Sequence, residues 1–174
     1  MSELVGKNIL LYFASCSERR HIPKLIEAYH EIKAKDDAFE VIFIPRSSDP
    51  YSSEERSRFD KLFSLMPWLA LPFSDYARSK RLCHWFKTGP WSTEAIFISS
   101  SGRTFRDGVL KLISYHRGDA YPFTPDRFDF LKEQYEETKR NQSLTSLLVS
   151  NSRDYLLSND GNQVELFVAV LLLL

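Results

Sequence analysis

Cysteine is scarce in this chain: 174 residues contain two, Cys16 and Cys83. Two thiols so far apart in sequence build neither a disulfide framework nor a cysteine-based zinc site, so the fold must rest on its core. The four histidines, His21, His30, His84 and His116, include no pair at helical i,i+4 spacing and no carboxylates arranged around them as ligands, which excludes a metal motif. There is no charge excess either, with 23 Lys and Arg against 23 Asp and Glu. The chain therefore has no overall attraction for a phosphate backbone, and nucleic acid is not an expected partner. Ser99-Ser100-Ser101-Gly102 lacks the Gly-x-x-x-x-Gly-Lys pattern of a phosphate loop and reads as a hairpin turn. The amino end has neither the basic stretch nor the apolar run of a secretion signal, so an intracellular protein is expected. Residues 166–174 are apolar. As helix they cover about 14 Å at roughly 1.5 Å per residue, less than half of a bilayer core of about 30 Å, and cannot span it.

What is present suffices for one ordinary core, since 43% of residues are hydrophobic and 14% aromatic. Asn8-Ile9-Leu10-Leu11-Tyr12-Phe13-Ala14 is a continuous apolar run, as a strand buried on both faces requires. After the polar break Ser15-Cys16-Ser17-Glu18, apolar residues recur at Ile22, Leu25, Ile26, Tyr29 and Ile32. That three-and-four spacing predicts an amphipathic helix with Pro23 in its first turn. Phe39-Glu40-Val41-Ile42-Phe43-Ile44 is a second strand, and a strand, helix, strand unit is nearly always parallel and right-handed.

Ser53-Glu54-Glu55 opens a second helix that Pro67 ends, residues 68–73 form a short apolar edge segment, and a third helix covers 76–86. Residues 94–98 and 104–106 flank a glycine-containing connection and predict an antiparallel hairpin. A last helix starts at Thr124-Pro125-Asp126 and runs to about Lys139, with Thr124 as cap and Pro125 at its first position. The fold class is α/β, a central mixed sheet flanked by helices. Beyond Asn141, residues 153–157 and 163–166 around Asn159-Asp160-Gly161 predict a second hairpin.

Several stretches together resemble the plant nucleoredoxins, multi-domain members of the thioredoxin-like family. They are Ser2-Glu3-Leu4-Val5-Gly6-Lys7 with Leu10-Leu11-Tyr12-Phe13, Pro23-Lys24-Leu25-Ile26-Glu27-Ala28-Tyr29, and the strand Phe39 to Ile44. Later come Met66-Pro67-Trp68-Leu69-Ala70-Leu71-Pro72-Phe73, Gly102-Arg103-Thr104, and Gly118-Asp119-Ala120-Tyr121-Pro122-Phe123-Thr124. The resemblance implies a thioredoxin-like domain over residues 1–140. Residues 141–174 are then a linker, a hairpin and an apolar tail resembling the start of a truncated second repeat.

The resemblance also implies thiol-disulfide oxidoreductase chemistry, the reduction of protein disulfides, with no bound cofactor in the domain itself. The implied partners are protein or peptide thiols and disulfides, with electrons from glutathione or an NADPH-linked thioredoxin reductase, in the cytoplasm or nucleus. Family members carry Trp-Cys-x-x-Cys between the first strand and its helix, opposite a cis proline. A thiolate at a helix amino end is stabilised by the dipole, and a second thiol three residues on resolves the mixed disulfide.

Here Cys16 is the candidate nucleophile, and Arg19 stands where the resolving cysteine would fall, or Glu18 when the alignment is anchored on Pro23. A two-cysteine cycle cannot close locally, so impaired exchange is expected. The alternative is a non-catalytic thioredoxin-like module that still binds protein or peptide. Arg19 and Arg20 favour a Cys16 thiolate, Glu18 opposes it, and His21 is close enough in sequence to assist. Thr93 falls at the cis-proline position, while Pro90, beside Trp91, lies three residues earlier. The expected groove is thus Cys16, Glu18, Arg19, His21, Pro90, Trp91 and Thr93. Cys83, beside Leu82, Trp85 and Phe86, reads as core, and Arg78, Lys80, Arg81 and Lys87 as a solvated helix face.

Overall fold

The computed structural model describes residues 4–89, 92–141 and 155–165. It separates into two compact units, Met1–Phe128 and Asp129–Leu174. In the first, strands β1 (Asn8–Ser15), β2 (Phe39–Arg46), β3 (Leu69–Ala70), β4 (Glu94–Ile98) and β5 (Thr104–Phe105) form one sheet in the order β3-β2-β1-β4-β5. The β1–β2 and β2–β3 pairs are parallel, and β1–β4 and β4–β5 antiparallel. The sheet is therefore mixed, as the residue pattern predicts.

Helices α1 (Ile22–Lys33), α2 (Ser53–Phe63) and α3 (Tyr76–Trp85) fall where the apolar spacing puts them. Pro23 is tolerated because it sits at the start of α1, where its missing N–H has no helical acceptor. Ser52 caps α2 by accepting from the Glu55 N–H, and Asp75 caps α3 by accepting from the Arg78 N–H. One helix is absent from the predicted order: α4 (Val109–His116), between β5 and the last helix α5 (Pro125–Asn141). Its buried residues Val109, Leu112 and Ile113 carry the i, i+3, i+4 signal in a helix of 8 residues.

The two faces of the sheet bury different side chains because strand residues alternate. On one, Tyr12, Phe43, Phe97 and Phe39 meet an aromatic layer: Phe59 of α2 stacks on Phe43, Tyr29 of α1 meets Phe39, and Phe123 meets Phe97. On the other, Leu11, Phe13, Ile44, Leu71 and Ile96 form a cluster against Leu82, Cys83 and Phe86 at the end of α3.

The Gly118 to Thr124 stretch clasps α1. The Gly118 N–H donates to Glu31 Oε2 at 2.7 Å, and a Cβ at position 118 would lie 2.5 Å from Glu31 Cβ, so only glycine fits. Three residues on, the Tyr121 hydroxyl donates to Asp36 Oδ2, which also accepts from Asn8 Nδ2 at 3.0 Å. The Tyr121 bond is the largest of the effects that hold the Asp36 carboxyl below its ordinary value, with burial opposing it. Burial, then the Asp36 bond and charge, push the Tyr121 hydroxyl up.

A depressed carboxyl contributes stability above its unfolded pKa that is lost as pH falls through the folded one. A raised phenol contributes stability below about 10 that is lost as pH rises through its folded value. Urea unfolding across the pH range should therefore show Asp36→Asn with a flatter acid limb than wild type and Tyr121→Phe with a flatter alkaline limb. Near neutrality Tyr121→Phe should lose about 1 kcal/mol.

In the second unit, β6 (Tyr155–Leu157) and β7 (Gln163–Glu165) pair antiparallel, the hairpin predicted around Asn159-Asp160-Gly161. Gly161 has φ +81, a left-handed conformation that favours glycine at this turn. The predicted apolar tail, 166–174, lies outside the described residues.

Candidate functional site

Cys16 follows β1 directly, in a turn closed by the Glu18 N–H donating to the Ser15 carbonyl at 3.1 Å. Helix α1 starts only at Ile22, so the cysteine does not sit in the first helical turn, and the dipole effect fades beyond that turn. The side chain is 5% exposed. Burial pushes its thiol up to about 12, the Glu55 charge adds to the rise, and Arg58 opposes it.

This corrects the expected electrostatics. The acting charges come from α2, across the chain crossover, rather than from Arg19, Arg20 and Glu18 next to the cysteine. Glu18 instead accepts from the Arg20 N–H at 2.6 Å, and its charge acts on the Tyr12 hydroxyl. His21 occupies the cap position of α1 without a side-chain capping bond.

Cys16 lines a cleft of about 860 Å³ at the carboxyl ends of β1 and β2. Open α/β sheets place ligands there because the loops leaving parallel strands diverge. Ser15 and Ser17 flank the cysteine, Arg46 ends β2, Ser47 and Ser48 follow it, and Glu55 and Arg58 project from α2. Helix α3 supplies Tyr76, Ser79, Lys80, Cys83 and His84, and the segment before β4 supplies Lys87, Thr88 and Ser92.

Of the expected groove, Cys16 is in this lining, and Glu18, Arg19, His21 and Thr93 are not. Thr93 is half-buried immediately before β4, with Ser92 beside it on the cleft. Pro90 and Trp91 lie outside the described residues. Cys83 does more than pack: half-buried and free, it backs onto the Leu11–Phe13 cluster and shares the cleft wall with Cys16. Lys80 and Lys87, expected on a solvated face, also line the cleft.

A polar clamp fixes the rim before β4. Arg46 donates to the carbonyls of Gly89 and Ser92. Glu94 accepts from the Gly89 N–H at 3.1 Å and from the Ser92 hydroxyl, and pairs with Arg106 at 2.6 Å. Arg106 also donates to the Phe86 carbonyl at 3.0 Å. Burial works against the Glu94 carboxylate, but bonds from Ser92, Arg106 and Gly89 outweigh it and hold its carboxyl below the usual range. Glu55 is held likewise: burial opposes its charge, and the hydroxyls of Ser47 and Ser48 overcome that opposition. No local motif marks Glu55, Arg58 or Arg46. What could have found them is topology, since residues after a parallel strand and at the start of its following helix converge on one end of the sheet.

Chemically, the arrangement offers a shielded thiol, a second thiol on the same wall, a row of hydroxyls and several cations. Among the described residues, no group of His, Cys, Asp and Glu could hold a metal, and no helix is long and apolar enough to cross a membrane.

Comparison with known proteins adds the lineage. The Arabidopsis thaliana protein named Probable nucleoredoxin 1 is 36% identical over 94% of this chain, which corresponds to 28% of that relative. The chain spans less than half the length of these plant nucleoredoxins. Among solved structures, tryparedoxin I from Leishmania major superposes with a TM-score of 0.60 at 21% identity, covering 70% of this chain and 83% of that one. Tryparedoxin II complexed with glutathionylspermidine gives a TM-score of 0.57 at 26% identity, covering 70% and 81%. A family profile described as Thioredoxin-like matches residues 6–104, more than half of the chain. With its mixed five-stranded sheet and its likeness to one repeat of the plant nucleoredoxins, the chain belongs to the thioredoxin-like family.

Proposed function

We propose that this chain is a nucleoredoxin-type redox module that holds protein or peptide disulfides in the cleft and exchanges them slowly, one thiol at a time, through Cys16. The observation that carries the reading is the place of Cys16: it lies on the cleft wall at the end of β1, where the family keeps its attacking sulfur. With Arg19, or Glu18 when the alignment is anchored on Pro23, in place of a resolving cysteine, the local two-cysteine cycle is lost and exchange is impaired.

In the exchange, the Cys16 thiol gives up its proton and the sulfur attacks one sulfur of the substrate disulfide. That bond breaks, a mixed disulfide forms, and the departing thiolate takes a proton. An external thiol then attacks the mixed disulfide, releasing Cys16 and becoming disulfide-bonded to the substrate sulfur. Glutathione suits that role by likeness to the tryparedoxin II complex with glutathionylspermidine. An NADPH-linked thioredoxin reductase is the alternative electron source. By the same likeness to nucleoredoxins, we read residues 1–140 as one thioredoxin-like repeat, 141–174 as the start of the next, and the cytoplasm or nucleus as the location.

A second reading, a peptide-binding module without chemistry, is favoured by the shielding of the sulfur, which is 5% exposed. Reduction of insulin by glutathione separates the two. Wild type should exceed the uncatalysed rate modestly, Cys83→Ser should match wild type, and Cys16→Ser should fall to background. Equal background rates for wild type and Cys16→Ser would remove the exchange reading and leave binding alone.

A further inference from the structure

The charge of this chain is balanced overall, with 23 cationic and 23 anionic side chains, but the cleft is not. Its lining carries Arg46, Arg58, Lys80 and Lys87 against the single carboxylate of Glu55. Glu55 is already engaged by the hydroxyls of Ser47 and Ser48. Arg58 already has an ion-pair partner in Glu54 at 2.5 Å.

The other three cations have no carboxylate partner among the described residues. Arg46 is bonded to the carbonyls of Gly89 and Ser92, which fix its position and leave its charge uncompensated. Lys80 Nζ lies 5.1 Å from the centre of the Tyr76 ring, a contact that orients the ammonium without cancelling it. Lys87 makes no ion pair with a described residue, and its backbone φ of 50 sets it on the turn that ends α3. Ser15 and Ser17 also line the cleft, their hydroxyls bonded to each other at 3.0 Å, and the acceptor of that bond keeps its own O–H to donate.

We propose that the cleft selects an acidic peptide segment, a stretch bearing Asp or Glu beside the sulfur it presents to Cys16. The inference rests on the exchange reading for its sulfur chemistry, but the charge selection stands on the cleft alone. A volume of about 860 Å³ accommodates several residues of extended chain rather than a single small ion. A nucleic acid strand fits less well. Among the described residues Tyr76 is the one Phe, Tyr or Trp side chain in the lining, and it is already engaged by Lys80, so these residues supply no row of such rings on which bases could stack.

The test uses the full chain with Cys16→Ser, so that binding is read without exchange. Three fluorescein-labelled octapeptides, acidic, neutral and basic around a central serine, are titrated by fluorescence anisotropy. The acidic peptide should bind at least about tenfold more tightly than the other two, and its affinity should fall steadily as salt screens the cations. Lys80→Glu with Lys87→Glu should abolish the preference. Lys80→Gln with Lys87→Gln should weaken it, and circular dichroism should show both variants folded.

Equal binding of the three peptides, or a preference insensitive to both salt and substitution, would overturn the proposal. Displacement of the acidic peptide by inorganic phosphate, with chloride at matched ionic strength inert, would overturn it in favour of a simple phosphate site. Acidic selectivity with no insulin reduction by wild type would sink the exchange reading alone. Exchange by wild type with no charge preference would sink the acidic-peptide reading alone.

Discussion

Iodoacetamide near neutral pH should label Cys83 in the folded protein and leave Cys16 untouched, and both should react once the chain is unfolded. The thiolate is the species that reacts, and the Cys16 thiol is pushed up to about 12 from an ordinary value of 9.0, chiefly by burial. Its thiolate at neutral pH is therefore scarcer than that of an exposed cysteine by roughly a thousandfold, and the 5% exposure slows the reagent further. Peptide mass spectrometry after graded exposure reads the two sites separately.

The sign of each neighbour follows from its charge. Glu55→Gln removes an anion that raises the thiol, so labelling should quicken, while Arg58→Ala removes the opposing cation and should slow it. Burial is the larger cause, so neither change should approach the rate of the unfolded chain. Labelling of Cys16 in the native state as fast as in the unfolded state would show that the sulfur is open and ionised, and would remove the reason for expecting slow exchange.

The strands, the first three helices, the β4–β5 hairpin and the lineage were all legible in the residues, because each rests on local pattern. Leu10-Leu11-Tyr12-Phe13 has the continuous apolar pattern of an interior strand, and Met66-Pro67-Trp68-Leu69-Ala70-Leu71-Pro72-Phe73 carries a family signature. Helix α4 also had a pattern, Val109 with Leu112 and Ile113, but between Gly108 and Arg117 it offers too few turns to stand out from a loop. The site was less legible for a physical reason. Beyond burial, the charges that act on Cys16 are those of Glu55 and Arg58, which lie about forty positions downstream of the sulfur and reach it through the crossover after β2. Arg19 and Arg20 are closer in sequence and look more relevant, yet neither lines the cleft. Cys83 was read as core because its neighbours Leu82 and Phe86 are apolar. It does pack there, but the same helix position also borders the cleft.

That shared border makes Phe13→Ala the substitution with the largest expected effect on stability. Phe13 is 0% exposed on the central strand, between β2 and β4, and its ring meets Phe86 edge-on at 6.1 Å between centroids. Around it lie Leu11, Ile44, Leu71 and Ile96, with Leu82 and Cys83 on the far side. Strand residues on both sides hold the backbone in place, so the sheet cannot close over the vacated volume, and the loss combines transfer and cavity terms. A decrease of about 3–5 kcal/mol is expected in denaturant unfolding, a large part of the 5–15 kcal/mol typical of a domain. Tyr51→Ala, at a position 95% exposed, serves as the control and should change stability by less than about 0.5 kcal/mol. The same cavity lies directly beneath the cleft wall, so Phe13→Ala should also let Cys83 be labelled faster, because α3 loses the support of the Phe13–Phe86 contact. A loss of stability without faster Cys83 labelling would mean that α3 is held by its contacts along β2, among them the Ser79 hydroxyl donating to the Pro45 carbonyl at 2.7 Å, rather than by the aromatic pair at its end.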